Sequence, residues 1–386
     1  MTTHVLIVDK NTFKKHLEYM FIGTGTSKPF IFNNDKANYS YIHPSTERNL
    51  AGLVADFNRM REGDNVIFYL QQSHNEGGFF GVFKVKKDPT VSYVAFTDNK
   101  GNNYPGLTKD LQYRALIEPD KVYAKGVSEW EALDDIRCIP APCQMLWSLI
   151  YRKLKGNRGN TMITLYESKR LINLIIAKNR GLPLVSAKGG YSYDDIANSI
   201  IPHTPSKYDF TNCVQLDISK RLIFKYRNRQ AHETHLQSFI TNHIGKGTCL
   251  SLDNSILTQN ERIEWIGNEV SCGVGMQRMD IVLSTKIDGE ELPNLYIVEL
   301  KCVPIDISHI SQMNKYIDWL TQYYIPNRPS RIIPVLITLD STGSTKFPSH
   351  ILAGKNTFDR QYLGHINYSP LKLIKYQVQA TQLLFY

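Results

Sequence analysis

Asp280, Glu299 and Lys301 are the side chains in this chain best suited to chemistry. Asp280 stands in Arg278-Met-Asp-Ile-Val-Leu283, Glu299 and Lys301 in Tyr296-Ile-Val-Glu-Leu-Lys301, and Asp288-Gly289 marks a turn between the segments. Both segments read as strands, in which successive side chains leave opposite faces. Glu299 and Lys301 are therefore expected on one face, with Tyr296, Val298 and Leu300 packed on the other. Two carboxylates beside an ammonium suit metal-assisted phosphodiester hydrolysis. Carboxylate oxygens hold a hard divalent ion such as Mg²⁺, with Mn²⁺ as its substitute. The ion polarises a phosphate and activates water, while the lysine orients that water or stabilises developing charge.

Two helices are needed to frame such a site. Glu233-Thr-His-Leu-Gln-Ser-Phe-Ile240 reads as an amphipathic helix with Leu236, Phe239 and Ile240 on its apolar side and Glu233 near its start. Ser311-Gln-Met-Asn-Lys-Tyr-Ile-Asp-Trp-Leu320 reads as a second, with Ile310, Met313, Ile317 and Leu320 at helical spacing. Gln312 and Tyr316, four apart on a different face, can both point at the site. With Asp280 and Glu299-Leu300-Lys301, this order of elements over roughly residues 216–345 resembles the PD-(D/E)xK nuclease superfamily, in its NucS and RecB-like branches. Met279 stands where the strict pattern has proline. The resemblance implies a restriction-endonuclease-like α/β core with a mixed sheet, and Mg²⁺-dependent cleavage of DNA. It implies Asp280 and Glu299 as metal ligands, the Leu300 carbonyl as a further ligand, and Lys301 as the residue that activates water. Glu233 and Gln312 are secondary catalytic candidates, and Glu269 a third.

The first half of the chain is built differently. His4–Val8 reads as a strand, Thr12–Met20 and Asn49–Met60 as helices, and strands follow from Gly63, Gly77 and Leu111, with glycines that allow tight curvature. That pattern favours a small β-barrel with flanking helices. The segments Glu-Gly-Asp-Asn-Val-Ile-Phe-Tyr69, Gly-Gly-Phe-Phe-Gly-Val-Phe-Lys-Val85 and Tyr-Arg-Ala-Leu-Ile-Glu-Pro119 resemble PUA-like domains of the EVE and YTH type. Such domains, as the resemblance implies, read a modified base extruded into an aromatic pocket. Tyr39, Tyr41, Trp130 and Trp147 are the candidates for that pocket. Arg152, Lys153, Lys155 and Arg158 form the densest basic cluster and are expected to contact phosphates. Arg221, Lys225, Arg227 and Arg229 precede Glu233 and are expected to guide DNA toward the cleft.

At 386 residues, with a net charge of +9 and a pI near 9.0, the chain has room for more than one core and suits a polyanionic partner. The expected organisation is a reader domain at 1–180, a linker at 181–213 with a short helix at Ser192–Ile200, and a nuclease domain at 214–386. Cysteines 138, 143, 213, 249, 272 and 302 show no C-x-x-C pairing, so zinc is not expected. The opening residues read as a strand rather than a signal peptide, there is no membrane-length apolar run, and a cytoplasmic protein with reduced thiols is expected. Together these readings describe a modification-dependent DNA endonuclease, a homodimer if it cuts both strands. Two alternatives stand beside it: a structure-selective or mismatch repair nuclease, and a non-catalytic nucleic-acid reader with a degenerate nuclease fold. If the 152–158 cluster touches phosphates, neutralising its four cations should flatten the log–log salt dependence of DNA binding by about 3 to 4 units. Binding titrations across a salt series measure that slope, and an unchanged slope assigns the cluster to solvated surface.

Overall fold

The structure is a computed structural model that describes residues 1–25, 43–73, 76–87, 93–96, 111, 113–134, 159–206, 213–214, 216–272, 277–341, 343–344, 346–364 and 367–386. Two compact units emerge: residues 1–31 with 56–216, and residues 32–55 with 217–386.

In the first unit, strands β1 (Thr3–Val8), β2 (Phe21–Thr24), β3 (Asn65–Ser73), β4 (Glu76–Val85), β5 (Tyr93–Phe96), β6 (Tyr113–Pro119), β7 (Val127–Ser128), β8 (Asn160–Ile163) and β11 (Cys213–Val214) form one curled sheet. Its order is β11-β5-β6-β4-β3-β1-β8, with β2 also on β6 and β7 also on β4. The curl comes from β6, which pairs with β4 through Ile117–Pro119 and with β2 and β5 through its earlier residues. A second bend lies where the β3–β4 register shifts between Val66 and Phe68. Gly81 sits there at φ +134°, a conformation closed to most L residues, and a Cβ would come 3.2 Å from the Val66 carbonyl. The barrel expected from the sequence is thus a curled half-barrel.

The helices of this unit are α1 (Lys10–Tyr19), α3 (Glu129–Asp134) and α4 (Leu165–Lys178), while α2 (Pro44–Asn58) spans the boundary between the two residue sets. Asp9 caps α1 by accepting from Thr12 N at 2.8 Å, and Thr164 with Glu167 makes a reciprocal capping box at the start of α4. Alternation along β3 divides the core. Ile67 and Tyr69 pack with Leu171 and Ile175 of α4, while Phe68 meets Phe13 and His16 of α1 on the opposite face. Burial drives the His16 imidazole down to about 3, so it stays neutral in this aromatic layer.

The second unit contains α5 (Ser219–Arg227), α6 (Glu233–His243), α7 (Leu250–Ile256), α8 (Ile307–Tyr323) and α9 (Ser349–Tyr362). Among the described residues its sheet runs in chain order: β12 (Glu261–Cys272), β13 (Gln277–Ile287), β14 (Asn294–Lys301), β15 (Arg331–Leu339), β16 (Lys372–Gln379) and β17 (Gln382–Phe385). The first three strands are antiparallel, β14, β15 and β16 are parallel, and β17 returns antiparallel. Parallel neighbours require crossovers, which α8 and α9 supply. Asp288-Gly289 does make the β13–β14 turn, with Gly289 at φ +91°. From Leu295 to Val298, and at Leu300, β14 is fully buried, so both of its faces are covered rather than one.

Three expectations need correction. Residues 192–200 form no helix. The strands β9 (Gly190–Asp194) and β10 (Ser199–His203) make an antiparallel hairpin, because Tyr191, Tyr193 and Ile200 are buried and Tyr193 packs its ring 5.1 Å from Phe13. The stretch read as a linker therefore belongs largely to the first unit. Residues 32–55, placed by the sequence in the reader domain, belong to the second. Arg221 and Lys225 are also buried rather than free to guide DNA. Arg221 grips Glu47 of α2 at 2.8 and 3.0 Å, Lys225 lies 3.5 Å from it, and His235 lies 2.9 Å from it.

Burial alone would raise the Glu47 carboxyl, but hydrogen bonds from His235 and Arg221 overcome it and hold the group far below the ordinary carboxylate range. A depressed native value contributes stability above the unfolded value, and that contribution disappears as pH falls through the acid range. Glu47→Ala should therefore destabilise the second unit by about 3–5 kcal/mol at neutral pH, because Arg221 and Lys225 stay buried without their partner. Denaturant unfolding followed by tryptophan fluorescence should show the deficit shrinking below pH 4.

Candidate active site

The pairing of β13 with β14 ends at Ile281–Val298, while β14 continues against β15 as far as Lys301–Thr338. Asp280 and Glu299 are the next residues in register beyond that last pair. The Leu300 N–H, past the end of the ladder, donates to Asp280 Oδ2 at 2.8 Å. A side chain thus takes the place of a backbone partner, and it draws the Asp280 carboxyl to the end of β14. Lys301, two residues after Glu299 and so on the same face, donates to Glu299 Oε1 at 2.5 Å. Glu299 is 2% exposed, and its Oε2 makes no hydrogen bond of good geometry among the described residues, although the Tyr316 hydroxyl and the Asp280 carboxyl lie close enough to stabilise its ionised form.

The electrostatics describe a carboxylate cluster short of cations. Burial first, and then the charges of Glu299 and Glu233, push the Asp280 carboxyl well above its ordinary range. Glu299 is also raised by burial, against the opposing pull of Lys301. The same holds at Glu233, the first residue of α6. Burial works to lower the Lys301 ammonium, yet Glu299, Glu233 and Asp280 together hold it above its usual value, so it stays charged. One ammonium faces three carboxyl groups.

That imbalance, with the orphaned Glu299 Oε2, fits a hard cation. Among the described residues no three His, Cys, Asp or Glu side chains form a complete cage. Mg²⁺ does not require one, since it commonly keeps several waters and takes one or two carboxylates plus substrate phosphates. Asp280, Glu299 and the Leu300 carbonyl would hold it.

The other expected residues fall at varying distances from this centre. Gln312 does not reach the carboxylates. Its Nε2 donates at 2.5 Å to the Tyr316 hydroxyl, which donates at 3.0 Å to the carbonyl of Arg278. Burial first, then Glu299, raises the Tyr316 phenol, so it remains a neutral donor. Glu269 accepts from Arg278 at 2.6 Å and sits at φ +44° within β12, opposite the segment that carries Asp280. Arg227 donates to the Ala380 carbonyl, and Arg229 is exposed. Trp130 on α3 is 59% exposed, so it is not a core residue. Tyr39, Tyr41, Trp147, Arg152, Lys153, Lys155 and Arg158 lie outside the described residues. Gln237 was missed by the sequence reading, although its Nε2 donates to the Asp280 carbonyl at 2.6 Å. Its spacing of four from Glu233 was the available signal.

Cys249, Cys272 and Cys302 are free thiols. Burial, and then the Glu299 charge, push the Cys272 thiol up to about 12, which leaves it protonated and poorly suited to metal binding. Among the described residues no helix is long and apolar enough to cross a membrane.

The fold and site together define an α+β protein of two units, one carrying a buried two-carboxylate, one-lysine centre at a splayed strand end. No protein-family model matches the chain, and no curated protein matches it. Among solved structures, human THYN1 protein in complex with 5-methylcytosine-containing DNA aligns over 45% of this chain and 97% of its own, at 12% identity and a TM-score of 0.26. That likeness is too loose to transfer anything from that protein to this one.

A carboxyl with a raised native value contributes stability at low pH and loses it as pH rises through the native value, because the unfolded chain releases its proton more readily. Asp280→Asn should therefore stabilise the metal-free protein by about 1 kcal/mol or more at pH 8, with the gain fading toward pH 4. Thermal melts across pH measure it. Millimolar Mg²⁺ should raise the wild-type melting temperature and leave the variant's almost unchanged.

Proposed function

We propose that this protein is a Mg²⁺-dependent DNA endonuclease whose first unit recognises modified bases, acting in modification-dependent restriction. The observation that supports the hydrolase reading best is the conjunction at the strand end. Two buried carboxyl groups, both raised by burial and Asp280 further by the charges of Glu299 and Glu233, sit beside a lysine that stays charged. A purely structural Glu–Lys pair needs neither the second acid nor the unpartnered Glu299 Oε2. The residues recur in the order and spacing of the PD-(D/E)xK pattern, and the sheet around them is mixed, as that resemblance implies.

In this reading Asp280, Glu299 and the Leu300 carbonyl hold Mg²⁺, with Mn²⁺ able to replace it. The bound ion would polarise the scissile phosphate and lower the pKa of an attacking water. Lys301, kept protonated by its three acidic neighbours, orients that water and stabilises charge on the phosphate oxygens. Tyr316 and Gln312 hold the backbone before Asp280 in place. Glu233 adds negative potential that favours a cation at the site. One such centre cuts one strand, so a double-strand break calls for two copies of the chain, and we infer a homodimer on DNA.

The reader assignment for the first unit is supported by its sequence resemblance to EVE and YTH-type domains and by its curled half-barrel sheet. Trp130, standing out in solvent, is available to stack on a base.

Cleavage of matched plain, methylated and hydroxymethylated duplexes tests the whole reading. Cutting should require Mg²⁺ or Mn²⁺. Asp280→Ala and Glu299→Ala should each lower the rate by about a hundredfold or more, and Lys301→Ala by about tenfold to a hundredfold, at unchanged DNA affinity. Wild-type rates in either carboxylate variant would remove the site assignment. Trp130→Ala should lower the preference for modified duplex by about tenfold. Equal cutting of all duplexes by the wild type would favour the structure-selective repair enzyme instead.

A further inference from the structure

Gln237 lies on α6 one turn after Glu233, so the two side chains share a helix face. It is 4% exposed, and its Nε2 donates at 2.6 Å to the backbone carbonyl of Asp280. From α8, the Tyr316 hydroxyl donates to the carbonyl of Arg278 at 3.0 Å. Carbonyls two residues apart leave the same edge of a strand, so both helices grip one edge of β13 around Asp280.

The grip falls where it is needed. Pairing with β14 has ended at Ile281–Val298, and β14 has no further backbone pair to hold Asp280. The Leu300 N–H draws the Asp280 carboxyl toward the end of β14. β12 holds the other side of β13 as far as Gln277, but past Val298 no backbone pair with β14 sets how far Asp280 stands from Glu299, and that spacing falls to side-chain hydrogen bonds. A bound cation needs both carboxylates at a set separation.

We propose that Gln237 is a positioning residue: by tethering the Asp280 backbone to α6, it sets the Asp280 carboxyl against Glu299 at the cation site. The inference rests on the hydrolase reading for its consequence in catalysis, but the tether itself has a direct readout. Gln237→Met removes the donor at similar size, and Gln237→Glu turns an acceptor toward the carbonyl at equal size.

The test uses the full chain and four measurements on wild type and both variants: melting temperature, Leu300 amide exchange without metal, Mn²⁺ binding by electron paramagnetic resonance, and cleavage. In both variants the Leu300 amide should exchange about tenfold faster or more. Mn²⁺ affinity should fall about tenfold to a hundredfold, as it does when other outer-shell partners are removed. Cleavage at fixed Mn²⁺ should fall with it and recover in part as Mn²⁺ is raised, while DNA affinity in Ca²⁺ and the melting temperature stay close to wild type. Wild-type Leu300 protection and Mn²⁺ affinity in the variants would overturn the proposal. So would early melting with protection lost throughout α6 and β13, which marks a general packing role. A wild-type protein that binds no Mn²⁺ and cuts nothing defeats the hydrolase reading separately, and Leu300 exchange then decides the tether alone.

Discussion

Beyond Ile281 and Val298 two strands that have paired over five residues part, and the side chains at the parting are both acids. Continued pairing would place Asp280 and Glu299 directly opposite each other, and like charges in that position destabilise a sheet. Here the ladder stops, the Asp280 carboxyl takes up the Leu300 N–H, and Lys301 covers one oxygen of Glu299. Burial first, and the neighbouring acids after it, raise the Asp280 carboxyl, and the same acids hold the Lys301 ammonium in its charged form. The same β14 continues against β15 through Lys301, so one edge of the strand is rigid where the other is open. A site built this way has a fixed wall and an adjustable one.

The second unit contains another buried charge cluster, and the contrast between the two is instructive. Glu47 has Arg221, Lys225 and His235 around a single carboxylate, so its acid is held ionised and its donors are satisfied. Burial outweighs Glu47 at His235, whose imidazole stays neutral and serves as a hydrogen-bond donor. Cations exceed anions there, and the result is a strut between α2, α5 and α6. At the strand end anions exceed cations, and the result is an unsatisfied buried oxygen. Of two buried clusters, the one left short of countercharge is the one that gains from binding a cation.

Much of the second unit was legible because local patterns and tertiary demands agree there. Glu233–His243 and Ile307–Tyr323 carry helical spacing, Asp288-Gly289 is a turn, and Glu299 and Lys301 share a face as alternation requires. The errors have physical sources. Tyr191, Tyr193 and Ile200 looked like scattered apolar residues in a Gly- and Ser-rich stretch, yet a hairpin buries them against α1. Arg221 and Lys225 looked like a basic face because their counterion, Glu47, lies far away in sequence. Gln237 was passed over because its one signal, a spacing of four from Glu233, says which helix face it shares and nothing of the carbonyl it meets.

An exposed tryptophan flanked by acids is at first sight a poor platform for DNA, since Glu129 and Glu131 adjoin Trp130 in the chain. Each acid is already engaged: Glu129 accepts from the Tyr69 hydroxyl, and Glu131 is held by Lys178 at 2.6 Å. Lys178 is the larger influence on Glu131 after burial, and it keeps that carboxyl ionised and partnered. The local field at Trp130 is therefore that of a compensated pair and a hydrogen-bonded acid, not of two free anions. Stacking depends on the indole face and little on charge, whereas attraction to phosphate depends on the net field over a Debye length. In the proposed reading, separating those tasks, with an aromatic to stack and cations elsewhere to attract, would let a basic protein bind DNA broadly while one ring responds to the chemistry of a base.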